Sequence, residues 1–232
     1  MQGVVMCSRF AFSPDLGSDA EALYTYVINK KDDEGAKAII KKYSVYTMLR
    51  LISGKNLCDA FDPRVIEAYW LGNDLLAKIG SEELGLIIKN YGWVINKEVD
   101  KLIFGNMQLP IDQRMAPHHS LSVLLGAMRM KEYSPDIIEQ INNSLIMWGN
   151  VKEVHQDSLL VLRSQLVKQD TFAIEENKEE SVSYDPAFVG PVQQNDVVAI
   201  HHGMVVTPLQ LMQLAALKRY TERNITVFNT LA

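Results

Sequence analysis

Five histidines occur in the chain, and four of them form two adjacent pairs, His118-His119 and His201-His202, with His155 alone between them. Neutral imidazole is the commonest ligand for zinc, iron or nickel, and it titrates near neutrality. One histidine from each pair, meeting in space, could therefore hold a transition metal (Fe, Ni or Zn) or carry acid-base chemistry. The plainer alternative is a buried histidine bonded to backbone beside an exposed one. On a strand, neighbours point to opposite faces, so at most one of His201 and His202 reaches a given site. No His-Glu-x-x-His, Cys-x-x-Cys or facial-triad spacing accompanies the pairs. Pro117 restricts the backbone before His118, and Gly203 lets the chain turn after His202, so both pairs sit at element edges.

Other chemistry is sparse. There is no Gly-x-Ser-x-Gly and no glycine-rich phosphate loop. Cys7 and Cys58 are too few for a disulfide framework, and Cys7 reads as a small buried hydrophobe. Glu67 and Asp74 are seven residues apart, on one face of a helix, where they could pair as carboxylates or bridge to Arg64. Arg114 and Arg129 could hold an anion or cap helices. A net charge of -5 without any concentrated Lys/Arg run excludes a general nucleic-acid surface. No apolar run approaches the roughly 18 residues that span a bilayer, and residues 1–14 lack the form of a signal peptide. The expectation is a cytoplasmic protein.

The elements that position these residues change character along the chain. Val4 to Phe12 is a strand or a buried helical turn. Helices are expected from Ala20 to Asn29, Asp33 to Ser53, Arg64 to Ile79 (after the Asp62-Pro63 cap, apolar on more than one face), from Ser81, and from Asn96 to Phe104. Leu121 to Met130 is buried, and Ser134-Pro135 opens the next helix. The helices end near Gly149-Asn150. Beyond them, Ser158 to Val167 is rich in Leu and Val. Asp170 to Ile174 and Ser181 to Tyr184 read as paired strands around a polar turn, Glu175 to Glu180, and Val189 to Ile200 as further strand. Thr207-Pro208 reads as the start of a terminal helix. The expectation is an α+β protein: a helical domain over residues 1–150, then a small β-barrel-like domain with a terminal helix over 151–232.

The stretch Asn195-Asp196-Val197-Val198-Ala199-Ile200-His201-His202-Gly203-Met204-Val205-Val206 resembles the closing segment of HypC/HupF-type hydrogenase maturation chaperones. That family has Gly-Asp, a β run ending in Val-His, then x-Gly and an aromatic. Asp196, His201 and Gly203 match; Asn195 and Met204 depart, and Met6-Cys7 stands away from the start of the chain, where the family has Met-Cys. The resemblance implies an accessory or chaperone-type protein in nickel-iron hydrogenase maturation, with Cys7, Asp196, His201 and Gly203 touching a hydrogenase subunit or maturation factor. The runs Asp62 to Asn73 and Pro117 to Ser120 also resemble an uncharacterised bacterial and archaeal family with a helical front. The other class of function is a metal- or histidine-dependent enzyme with its site between the two parts, built from His118 or His119 with His201 or His202.

Overall fold

The computed structural model describes residues 3–13, 16–90, 114–128, 130 and 132–230. The expected helix Asn96 to Phe104 and Arg129 lie outside the described residues. The architecture is α+β, helices first and strands with a terminal helix after them. The helices are α1 (Gly3–Ala11), α2 (Ser18–Asn29), α3 (Asp33–Ile40), α4 (Val45–Asn56), α5 (Pro63–Trp70), α6 (Ser81–Asn90), α7 (His119–Ala127) and α8 (Pro135–Ser144). Strands β1 (Met147–Val154), β2 (Ser158–Lys168) and β3 (Phe172–Ser183) follow. The short helix α9 (Pro186–Val189), strands β4 (Val197–His201) and β5 (Met204–Pro208), and helix α10 (Leu211–Phe228) complete the chain.

Several helix limits follow from local chemistry. Asp62 accepts the Arg64 N–H at 2.8 Å and Pro63 occupies the first helical position, which fixes the start of α5. Ser134-Pro135 repeats the device for α8. The expected helix from Asp33 to Ser53 is instead two, because residues 41–44 form turns between α3 and α4. The helix after Asp62 also stops early. Gly72, at φ 90°, ends it, and the ring of Tyr220 from α10 presses so close that a Cβ there would fall 2.2 Å from it. A 3₁₀ turn, Asp74–Lys78, follows.

In the sheet, β1 lies between β2 and β4, antiparallel to both; β5 pairs antiparallel with β4 and meets β3 at the parallel partners Ser183 and Met204. The order β1-β2-β3-β5-β4 thus returns to β1. The polar run Glu175 to Glu180 is no turn. It lies inside β3, paired with β2 from Ser158–Ser183 to Lys168–Phe172, and a bulge there puts Asn177 at φ 71°. The chain reverses instead at 169–171, where Gln169 N–H donates to Thr171 O. Thr207-Pro208 ends β5, and α10 opens later on a reciprocal Gln210/Gln213 capping box.

One apolar cluster includes Phe10, Leu49, Ile66 and Trp70 of the helical part together with Val161, Val198 and Val205 of the sheet. A second seats α7, α8 and α10 against β2 and β3 through Leu124, Ile141, Phe172 and Phe228. Asn142 pins α8 to β2: its amide donates to Leu166 O at 2.8 Å, and its Oδ1 accepts the Leu166 N–H at 2.6 Å. Removing a buried partner costs about 1–3 kcal/mol for each group left unpaired. Asn142→Ala is expected to lower stability by about 2–4 kcal/mol in urea unfolding, and a loss under about 0.5 kcal/mol would show that Leu166 finds other partners.

Candidate functional site

The centre of the molecule is Trp70, the last residue of α5, 3% exposed. Phe10 of α1 stacks on it at 5.4 Å between centroids, Tyr69 meets it edge-on at 4.9 Å, and His119 lies 4.5 Å away. His201 reaches it from β4 at 5.9 Å. Four elements, α1, α5, α7 and β4, converge on one indole.

His119 and His201, one from each sequence pair, lie 5.2 Å apart between ring centroids and both turn a ring nitrogen towards one carbonyl. It is the carbonyl of Ser144, the last residue of α8, one of the helix-end carbonyls that have no partner within the helix. His119 Nε2 is 2.9 Å and His201 Nε2 3.2 Å from it. His119 Nδ1 faces the Tyr69 hydroxyl at 3.4 Å, which fits an Nε2–H tautomer that donates to Ser144 and accepts from Tyr69. His201 Nδ1 is 2.9 Å from the carbonyl of Phe10, in the last turn of α1. His201 therefore stands between two helix C-termini with a carbonyl facing each nitrogen. A neutral ring has one N–H to give. The shorter contact, and the donor that Ser144 already has in His119, assign it to Nδ1.

The other two histidines go elsewhere. His118 caps α7: its Nδ1 accepts the Ser120 N–H at 3.2 Å and pairs with Ser120 Oγ at 2.9 Å. Its ring stacks on Tyr220 of α10 at 6.0 Å, and Asn224 of α10 donates to the same Ser120 Oγ at 3.0 Å. So His118 ties α7 to α10, while His119 ties it to β4 and the end of α8. His202 departs from strand alternation. It has φ 50° and Gly203 φ 72°, the two left-handed residues of a tight turn between partners His201 and Met204, and its ring lies 4.1 Å from that of His201. His155 is exposed, 3.5 Å from Glu153.

The remaining expected residues have local partners. Cys7 is fully buried in α1 and cannot touch a partner without the helix opening; burial pushes its thiol up to about 12, opposed in part by the Trp70 indole. Asp196 Oδ2 accepts the Gln193 N–H at 2.8 Å, holding the turn before β4. Gly203 supplies the β4–β5 turn, and His201 is buried. Of the motif residues that carry the resemblance to hydrogenase maturation chaperones, Gly203 is the one that the tight hairpin requires. Asp74 pairs with Arg64 at 3.0 Å, whereas Glu67 accepts from Gln213 and Asn73. Arg114 offers its carbonyl to Arg223 Nε.

Zinc in a structural or catalytic site takes at least three protein ligands. Among the described residues no three His, Cys, Asp or Glu side chains are grouped to hold a metal ion. The two imidazoles that do meet aim their Nε2 atoms at a carbonyl. Trp70, Tyr69, Phe10 and Ser144, which complete the cluster, carry no sequence signal beyond apolar burial and the end of a helix.

A family model described as "Family of unknown function (DUF6390)" matches residues 1–232. No curated protein and no solved structure matches the chain. The likeness of residues 195–206 to hydrogenase maturation chaperones finds no support in these comparisons.

Burial, with His119 nearby, pushes His118 down to about 3. Burial pushes His119 down to about 4, against the Ser144 carbonyl. Burial first, then His119 and His202, holds His201 well below the ordinary 6.5, and the Phe10 and Ser144 carbonyls oppose this. Above pH 6.5 both folded and unfolded chains keep these rings neutral, and their contribution to stability is complete. As the pH falls below that value the unfolded chain binds protons that the folded chain refuses, so stability falls. The fall eases only when the folded rings begin to charge, for His119 near 4. Three protons at ~1.4 kcal/mol each per pH unit set the limiting slope. Urea unfolding at about pH 7.5, 6 and 5 should show a loss of roughly 4–6 kcal/mol by the lowest; equal stability throughout would contradict neutral, buried rings.

Proposed function

We propose, from the premise that the chain belongs to this family of unknown function over residues 1–232, that it acts as an accessory, chaperone-type protein that binds a partner protein. The observation that carries this reading is at the head of α10. Leu211 is 81% and Met212 78% exposed, adjacent large apolar side chains held in water. Met212 borders a groove of about 600 Å³ between α10 and the segment that follows α5, with Asn73, Asp74 and Arg219 at its polar edges. Apolar surface beside a groove with a charged rim is the composition of a protein-binding patch, and covering it recovers about 25 cal/mol per Å². The ring nitrogens of His119 and His201, by contrast, face carbonyls and a hydroxyl within the fold. In its narrowest form the partner is a nickel-iron hydrogenase subunit or maturation factor, which rests on the likeness of residues 195–206 alone.

A second reading, a metal- or histidine-dependent enzyme, draws on the 5.2 Å approach of His119 and His201 between the helices and the sheet. Metal analysis separates the two. The protein purified without added metal, mixed with the purified hydrogenase large subunit of its own source and passed over gel filtration, should be free of Fe, Ni and Zn and should co-elute with the subunit. Replacing both Leu211→Asp and Met212→Asp should abolish co-elution. One equivalent of metal, lost in a folded His201→Ala variant, would overturn this reading in favour of the enzyme. Failure to co-elute would remove the hydrogenase form.

A further inference from the structure

We draw no further inference here: the strongest candidate, the exposed Leu211-Met212 head of α10 beside its groove, belongs to the surface on which the proposed function already rests, and nothing in the structure shows what covers it.

Discussion

The carbonyl of Ser144 is a single backbone group on which two distant parts of the chain close. It ends α8, where no helical N–H remains to meet it; it receives the His119 Nε2–H from the start of α7, and His201 from the end of β4 packs beside it with Nε2 3.2 Å away. The same His201 reaches the Phe10 carbonyl at the end of α1. Two helix C-termini are thereby faced by two imidazoles packed on Trp70, one carried by the start of α7 and one by the end of β4. A buried carbonyl without a donor is expensive, and aliphatic side chains could not supply one. Histidine can, while its ring still stacks with aromatic neighbours.

This arrangement bears on function through what it leaves over. Ring nitrogens turned onto carbonyls and a hydroxyl are withdrawn from solvent, and the adjacent pairs serve as joints: His118 to α10, His119 to α8 and β4, His201 to α1 and α8, His202 to the hairpin turn. The large apolar side chains that face outward lie elsewhere, at the head of α10.

Much of the fold was legible in the sequence, and the limits of that legibility are physical. Asp62-Pro63 and Ser134-Pro135 announced α5 and α8, since cap and proline are local devices. The even apolarity of residues 65–71 announced a central helix, and Trp70 is buried at its core. The split of α3 from α4, the early end of α5 at Gly72 and the unbroken β3 were not legible. In the last two a tertiary contact or a cross-strand partner, Tyr220 on Gly72 and β2 along the acidic run of β3, overrode local propensity. Of the site, the number of the histidines and their placement at element edges left the approach of one from each pair as one of two alternatives. The carbonyl they both approach was not legible, because every residue carries a carbonyl and only the end of α8 leaves this one free. Within the likeness to another family the turn accounts for Gly203: a two-residue hairpin asks for a left-handed residue there whatever the protein does.

The central claim is that His119 and His201 are neutral structural donors. Nitrogen-15 NMR of the histidine side chains, followed from neutral pH into acid, tests it most directly. His119 should appear as the Nε2–H tautomer and His201 as the Nδ1–H tautomer, with His119 charging only near pH 4 and His201 staying neutral far below 6.5. Titration of either ring near 6.5, or loss of both ring protons to a bound metal, would contradict the account.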